Sequence, residues 1–447
     1  MPYPGHPFAQ THPDRLATVA TLFGMRPAHP AACRLLEIGC GDGGNLVPMA
    51  YVLPESRFCG IDLSTTAIER AERLRDALGL QNLELCRADV TDMPPLGPFD
   101  YVVAHGVYSW IEPPARDALL AACRAHLASG GVAYVSYDVM PGGHMREITR
   151  QMLRWHLRDV DDPAERIAQA RSLLGAVAAA GQGQAEWALG QSDAALYHDE
   201  LAPHHEAVLF ADFVAHAGRH GLEFLGEADV FEMQAQVLPE PFAATDVIAR
   251  EQYLDFFKGR MFRQTLLCHA GTERREPAPD VVRGMLASTP ARPAGEVGPG
   301  QVEFQGPRGA SLTTDHDTVK RALVRLGEAW PGAVAVAELD GDAVCEALLR
   351  AYAANLVQLH VWAPTLATTP SERPQASALA RLQAAEGTRV TTLRHGSIEV
   401  SDDLGRRLIT LLDGTRDRAA LQAAIGRPAA ELERSLQGVA RIALLER

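Results

Sequence analysis

A glycine-rich turn near the start of the chain constrains the fold more than any other feature of the sequence. It is the run Glu37-Ile38-Gly39-Cys40-Gly41-Asp42-Gly43-Gly44, which follows an apolar, strand-like stretch and precedes a helical pattern. Its glycines allow a sharp turn and a close approach to a ligand, and the start of the next helix offers free N–H groups. The turn therefore predicts a nucleotide-type cofactor site on an α/β sheet.

Two interpretations of this turn compete. The glycines satisfy G-x-G-x-x-G, which on its own is a weak indication of a dinucleotide-binding fold. Three acids favour a different cofactor, because Glu37 precedes the first glycine while Asp62 and Asp89 each end a later strand-like run. A glycine turn with merely solvated acids is the alternative without a cofactor, and the shared strand context of the three acids argues against it.

The glycine turn and the three acids together resemble a class I S-adenosylmethionine methyltransferase. In that family the turn lies against the methionine end of the cofactor, the acid after the second strand binds the ribose hydroxyls, and the acid after the third lies near the adenine. A carboxylate suits the ribose because it can accept both hydroxyls. The resemblance implies S-adenosyl-L-methionine as cofactor, with these binding residues: Glu37, Gly39, Cys40, Gly41, Gly43, Asp62, Leu63, Asp89, Val90 and His105.

Two loops at later strand ends are expected to hold the methyl acceptor. They are residues 105–110 and 137–144, both rich in aromatic and titratable groups. Methyl transfer from a sulfonium is an in-line displacement, so the protein mainly aligns a desolvated nucleophile. Aromatic rings can hold a cation and a base can accept its proton. The catalytic candidates are Tyr108, Trp110 and Tyr137 as aromatic walls, with Asp138 or His105 as proton acceptor. Rings that only pack over the sheet are an equally good alternative for any one residue.

The N-terminal stretch is expected to close over the cofactor. Its prolines stiffen it, and Tyr3, His6, Phe8 and His12 give it groups that can make contacts. An unstructured start of the chain is the alternative.

A narrower resemblance covers nearly the whole chain. The sequence is similar to bacterial methyltransferases with a methyltransferase regulatory domain, a group that includes protein-lysine methyltransferases acting on outer-membrane proteins. The matching stretches are residues 7–13, 22–24, 105–110, 136–137, 197–201, 251–256 and 262–267. Two positions depart from the family, which usually has Asn and Trp where this chain has Asp138 and Gly143. A carboxylate in place of an amide changes the charge of the site.

Composition restricts the expected binding partners and the expected cellular location of the protein. A net charge of -14 argues against nucleic acid as a partner. Seven cysteines without a C-x-x-C pair indicate neither a disulfide framework nor a zinc site, and no metal is expected. No apolar span long enough for membrane insertion occurs, so the expected compartment is the cytoplasm.

The expected fold class is α/β: a Rossmann-like class I methyltransferase sheet with a helical insertion, plus two small α+β, winged-helix-like C-terminal domains. The helical region is expected to complete the sheet edge and to contribute to a possible homodimer. The predicted units are a cofactor-binding core (1–160), a helical regulatory region (161–272), a linker (273–309), a middle domain (310–365) and a C-terminal domain (366–447).

The preferred reaction is methylation of a lysine Nε atom in a protein or peptide. A lysine must first lose a proton, and its ordinary pKa of about 10.4 has to be offset by burial or by a base. Two alternatives remain open. One is O- or N-methylation of a small metabolite or natural-product peptide, and the other is a non-catalytic scaffold that binds the cofactor.

Overall fold

The computed structural model describes residues 5–234, 236–244, 246–339 and 341–447, so Tyr3 lies outside the described residues. The centre of the molecule is a seven-stranded sheet. Its strands are β1 (Arg34–Ile38), β2 (Arg57–Asp62), β3 (Leu83–Arg87), β4 (Phe99–Ala104), β5 (Leu127–Asp138), β6 (Leu222–Glu227) and β7 (Phe262–His269). They lie in the order β3-β2-β1-β4-β5-β7-β6. Strands β1 to β5 are parallel, and β7 is antiparallel to both of its neighbours.

Helices cover both faces of this sheet and extend beyond it. They are α1 (Pro13–Leu22), α2 (Leu46–Val52), α3 (Thr65–Ala77), α4 (Pro113–His126), α5 (Gly143–His156), α6 (Pro163–Ala179), α7 (Gly183–Leu189), α8 (Asp193–Ala195), α9 (Phe210–Arg219) and α10 (Val247–Lys258). Helix α3 is capped at its N-terminus by Ser64, whose hydroxyl accepts the N–H of Ala67. In the described part of the chain, no helix is both long and apolar enough to cross a membrane.

Successive strand residues bury their side chains on opposite faces of the sheet. Leu35 and Tyr134 belong to the core on the α1 side, whereas Leu36 and Tyr137 belong to the core on the α4 side. This period of two follows from the pleat of a β-strand. It decides which strand residues can reach the ligand site at the end of the sheet.

The helical insertion between β5 and β6 has a small core of its own, and the chain then returns to the sheet. Leu153, Ile167 and Leu174 are buried in this separate core. Strands β6 and β7 follow it and form the edge of the catalytic sheet. The regulatory region thus completes the sheet, as the sequence predicts.

Residues 273–309 do not form a linker. They contain α11 (Pro279–Val282), β8 (Leu286–Ser288), β9 (Arg292–Pro293) and β10 (Val302–Gln305). Strand β8 is the central strand of a three-stranded sheet, and Phe304 is fully buried in the same domain core. Proline and glycine mark the tight turns between very short strands here, a composition that a linker shares.

The middle and C-terminal domains complete the chain. The middle domain adds β11 (Ser311–Thr314), α12 (Asp317–Ala329), β12 (Val334–Ala335), α13 (Asp342–Ala353) and β13 (Gln358–His360). The C-terminal domain consists of α14 (Ala378–Glu386), β14 (Arg389–Thr391), β15 (Ser397–Glu399), α15 (Asp403–Leu411), α16 (Arg418–Ile425) and α17 (Ala429–Arg441). Strands β14 and β15 form an antiparallel hairpin beside the helices, as in a winged helix.

A buried ion network fixes β7 against the regulatory region. Arg263 is fully buried, and its Nη and Nε atoms lie 2.6 Å from Glu227, 3.1 Å from Glu251 and 2.9 Å from Asp255. Burial raises the pKa of Asp255 and of Glu251, and Arg263 opposes that shift. The guanidinium also lies 3.9 Å from the centre of the Phe210 ring. Removing this one cation would leave three acids without a central partner.

We expect Arg263→Gln to lower the free energy of unfolding by about 3–5 kcal/mol, because it strands buried carboxylates. The measurement is urea unfolding at neutral pH. The matched control is Arg283→Gln, which breaks an exposed ion pair with Asp342 and should cost less than about 1 kcal/mol. Equal effects of the two substitutions would contradict the structural role of Arg263.

Candidate active site

A cavity of about 980 Å³ lies beyond the carboxyl ends of the parallel strands. Open α/β sheets bind their ligands at this edge. One end of the cavity is formed by the glycine turn, Glu37, Asp62 and the N-terminal stretch. The other end is formed by Trp110, Asp138 and residues of the helical insertion.

Asp62 is oriented by the glycine turn. One carboxylate oxygen accepts the N–H of Gly41 at 2.9 Å, and the other accepts the N–H of Ser64 at 2.8 Å. Gly41 has a φ of 55°, which favours glycine, and Gly39 has a φ of 77°. A carboxylate has about four acceptor positions, so Asp62 keeps capacity for the two hydroxyls of a ribose.

Glu37 carries an unsatisfied oxygen at the same end. Its side chain is buried, Oε1 accepts the Asn45 amide at 2.7 Å, and Oε2 has no hydrogen-bond partner among the described residues. Burial raises the pKa of Glu37 to about 8. Buried acceptors are normally paired, so this oxygen fits a ligand ammonium group such as that of the methionine end of the cofactor.

The N-terminal stretch covers the glycine turn, as expected for part of a closing segment. The N–H of Gly5 donates to Asp42 at 3.2 Å, and Gly5 lies so close that a Cβ on Gly44 would be only 2.3 Å from it. Further along, Phe8 stacks on His105 with ring centres 3.7 Å apart. His6 and Phe8 both line the cavity.

Asn45 joins the cofactor end to the C-terminal domain. Its Oδ1 accepts His395 Nε2 at 2.9 Å and the N–H of Phe8 at 2.9 Å. His395 is buried in the turn between β14 and β15 and has a φ of 55°. The sequence does not predict a role for either residue. Asn45 and His395 belong to no recognised motif, and they lie 350 positions apart.

Asp138 is the centre of the acceptor end, but it is not a free base. Its Oδ2 lies 2.6 Å from His205 Nε2 and 3.1 Å from Arg146. Arg146 also reaches Glu200 at 3.0 Å and Asp199 at 3.7 Å. The carboxylate that replaces the usual amide is therefore paired with the Arg146 guanidinium and lies within hydrogen-bond distance of His205.

Two tryptophans flank the same guanidinium. The Arg146 guanidinium carbon lies 5.0 Å from the centre of the Trp110 ring and 5.8 Å from that of Trp187. Trp110 was expected in the acceptor site, whereas Arg146, Trp187 and Asp199 were missed. The only signal for Asp199 was its place within the matching stretch 197–201.

Two of the proposed aromatic walls lie elsewhere, and this corrects the prediction. Tyr137 is buried, stacks on Phe213 at 3.9 Å and bonds Thr265. Tyr108 is buried beside it and bonds His216. Neighbouring side chains alternate along β5, so Asp138 faces the cavity while Tyr137 faces the opposite core.

His105 lines the cavity but is poorly suited to accept a proton. Burial lowers its pKa to about 3, and its Nδ1 lies 2.9 Å from the Tyr134 hydroxyl. A ring with so low a pKa is almost entirely unprotonated at neutral pH and is a weak proton acceptor. Its position against Phe8 fits a role in shaping the cofactor end.

The remaining predicted cofactor residues divide into two groups. Gly39 and Cys40 line the cavity, while Gly43 turns the backbone and packs against Val47 and Ala71. Leu63, Asp89 and Val90 lie outside the cavity lining. Leu63 is 60% exposed beside Asp62, and Asp89 accepts the N–H of Thr91. Cofactor binding by these three residues, with Asp89 on the adenine side, stays a prediction.

Comparison with known families identifies three segments. Residues 36–133 match a methyltransferase domain, residues 192–269 a predicted methyltransferase regulatory domain, and residues 372–441 a PKMT C-terminal winged helix domain. The first segment contains the glycine turn, Asp62 and Asp89. Residues 36–133 therefore form a methyltransferase domain of the class I, S-adenosylmethionine-dependent type.

Relatives of this methyltransferase include two uncharacterized proteins of Rickettsia prowazekii. One is 36% identical over 60% of this chain and 52% of its own length. The other is 34% identical over 39% of this chain and 70% of its own length. The methyltransferase thus spans about half the length of the first. The structure of PKMT2 from Rickettsia typhi in complex with AdoHcy superimposes with a TM-score of 0.89, at 24% identity, over 99% of this chain and 100% of that one.

Glu37 should make S-adenosylhomocysteine binding by the methyltransferase pH dependent. An ammonium beside it favours the carboxylate, so binding of S-adenosylhomocysteine should release protons below the raised pKa of about 8 and tighten as pH rises towards it. Calorimetry in two buffers of different ionisation enthalpy measures the release. Glu37→Gln should abolish it. Proton uptake by the unsubstituted protein would contradict the role of Glu37.

His395 should support the methyltransferase cofactor site from a distance. We expect His395→Ala to weaken S-adenosylhomocysteine binding by about fivefold, the value of roughly one hydrogen bond. The matched control is His316→Ala, an exposed histidine that bonds Thr318 within the middle domain. Unchanged affinity in His395→Ala, with an unchanged circular dichroism spectrum, would show that Asn45 needs no support from the C-terminal domain.

Proposed function

We propose that this methyltransferase transfers a methyl group to the Nε atom of lysine side chains in a protein or peptide. The observation that carries the proposal is the acceptor end of the cavity, which is built around a cation. Two indole rings and three carboxylates surround Arg146 there. Such an arrangement favours a positively charged side chain over a neutral or anionic one.

The acceptor end has carboxylate charge left for a second cation. Four acids, Asp138, Glu147, Asp199 and Glu200, lie within 4 Å of a cationic partner there, against two guanidiniums, Arg146 and Arg150. Asp199 makes only the longest of the Arg146 contacts, at 3.7 Å, and it lines the cavity. A lysine ammonium entering beside Trp187 would meet this carboxylate.

Asp199 is the proton acceptor that we assign. Burial raises its pKa to about 6, above the ordinary value of an aspartate. That shift brings it nearer to neutrality and makes it a better base than an exposed acid, while burial also favours the neutral amine of lysine. The cofactor, when bound, supplies the methyl group on a sulfonium. Trp110 and Trp187 would align the amine, and Arg146 would keep Asp138 and Glu200 in place.

A protein acceptor is supported by two further features. Trp187 is 46% exposed at the mouth of the cavity, so a side chain attached to a polypeptide can enter. The C-terminal segment matches the PKMT winged helix domain, and the fold matches PKMT2, a protein lysine methyltransferase. A fully enclosed acceptor end would have favoured a small metabolite.

Self-association remains a prediction that the surface of α5 supports. Met145, Ile148 and Trp155 are 52%, 60% and 70% exposed at helical spacing. An apolar row of this kind on a surface helix is typical of a contact with another protein surface.

The proposal is tested with labelled S-adenosylmethionine and fractionated cell lysate, followed by mass spectrometry. We expect label on lysine residues of proteins. Asp199→Asn should lower kcat by about a hundredfold and leave cofactor affinity unchanged, because a general base acts in the chemical step. Trp187→Ala should mainly raise KM.

Two controls make this test specific. Asp62→Ala should lose both cofactor binding and labelling, whereas Trp155→Ala removes an exposed tryptophan that is not among the cavity-lining residues and should keep activity. Label found only in small molecules would overturn the proposal. Label on protein residues other than lysine would overturn the acceptor assignment.

A further inference from the structure

A second cavity lies where the three folded parts of the chain meet. Its volume is about 380 Å³, within the range of small-molecule sites. Helix α1 supplies Asp14 and Arg15, the middle domain supplies Trp330 and His360, and the C-terminal domain supplies Arg394. None of these residues belongs to the cofactor cavity.

The guanidinium of Arg394 has only neutral hydrogen-bond partners. Its Nη1 donates to the Pro331 carbonyl at 2.7 Å, and its Nη2 donates to Ser288 at 2.9 Å and Gln358 at 2.6 Å. The same Nη2 lies 3.3 Å from His360. Among the described residues, no carboxylate lies within ion-pair distance of Arg394. Burial lowers its pKa to about 10, and the more distant carboxylate of Asp14 only partly opposes that shift.

The one acid of this cavity is already engaged. Asp14 bonds His360 at 2.7 Å through one oxygen and accepts the N–H groups of Val361 and Trp362 through the other. Arg15, the second guanidinium, donates from Nη1 to the Tyr352 hydroxyl at 3.3 Å, which leaves its other donors for a ligand. Burial lowers the pKa of His360, so this ring adds no positive charge at neutral pH.

The lining therefore carries an excess of positive charge in a chain whose net charge is -14. The cavity is lined by two half-buried arginines, Arg15 and Arg394, and by the exposed Arg441, whereas Asp14 supplies the one carboxylate of the lining. The net negative charge of the chain does not account for this local excess of positive charge. Buried cations are usually compensated, and the missing partner here is an anion.

Aromatic walls complete the cavity. The Arg394 guanidinium carbon lies 4.7 Å from the centre of the Trp330 ring. On another side, Trp362 stacks on His12 with ring centres 5.7 Å apart. Flat indole faces favour a flat apolar group, and a guanidinium fork favours a carboxylate.

We propose that this junction cavity, the space between Arg15, Trp330, Trp362 and Arg394, is a binding site for a small aromatic carboxylate. The carboxylate of the ligand would contact the guanidiniums of Arg15 and Arg394, and its aromatic ring would lie between Trp330 and Trp362. The site is separate from the cofactor and methyl-acceptor cavity, so it is independent of the proposed lysine methylation.

The test uses the full chain saturated with S-adenosylhomocysteine, so that the first cavity is occupied. Phenylacetate and indole-3-acetate are titrated by calorimetry and by thermal unfolding, with the neutral amides phenylacetamide and indole-3-acetamide as matched controls. We expect saturable binding of the acids and at least about tenfold weaker binding of the amides, because the amides lose the charge-assisted contact.

Two variants probe the site in different ways. Arg394→Gln removes the charge, and Ile398→Trp fills the cavity from β15 without removing a polar contact. Both should abolish binding of the acids, whereas Arg394→Lys, which keeps the charge, should retain part of it. The proposal is overturned if the unsubstituted protein shows no saturable binding, if the amides bind as well as the acids, or if Ile398→Trp binds with unchanged affinity.

Discussion

The cofactor end of the main cavity depends on the hydrogen bonds of one side chain, that of Asn45. Its amide N–H donates to Glu37, and its oxygen accepts from Phe8 and His395. A single buried amide thus connects the buried carboxyl group of Glu37, the N-terminal stretch and the C-terminal domain. An amide can do this because it has both donors and an acceptor with two lone pairs. A carboxylate at this position would lose the donor side of the connection, and an alkyl group would lose both sides.

Charge compensation explains the acceptor end in the same way. Asp138 stands where the family usually has an amide, and the substitution alone would put an unpaired negative charge in a buried site. Arg146 forms an ion pair with it, and His205 Nε2 lies within hydrogen-bond distance of the same oxygen. The Arg146 guanidinium also forms an ion pair with Glu200 and contacts the rings of Trp110 and Trp187. Asp138, Arg146 and the two indole rings are therefore parts of one connected set of contacts. Buried ions of this kind are tolerated only as complete sets.

The sequence predicts the parts of the structure that depend on local pattern. The glycine turn and the position of Asp62 at the end of a strand follow from motif and periodicity, and both line the cofactor cavity. Tyr108 and Tyr137 show where this reasoning stops. Both belong to strand-end loops that do reach the site, but the pleat of β5 directs Tyr137 into the opposite core, and only the register of the strand reveals it.

Residues that act across long separations are the part that one sequence cannot show. His395 contacts a residue 350 positions away, and Trp187 and Asp199 reach the cavity from an insertion with no local signature of a ligand site. The failed linker prediction for residues 273–309 has a related cause. Very short strands have almost no periodicity, and the proline and glycine of their turns dominate the composition.

The catalytic core and the domains behind it share one continuous packing arrangement. Helix α1 buries Leu16 and Val19 in the core of the sheet and Leu22 in the core of the middle domain. The turn between β14 and β15 likewise serves two sites, because His395 bonds Asn45 while the adjacent Arg394 lines the junction cavity. Movement of this turn would alter a cofactor-site contact and the junction cavity together. The C-terminal domain is therefore joined to the cofactor end by the same turn that lines the junction cavity.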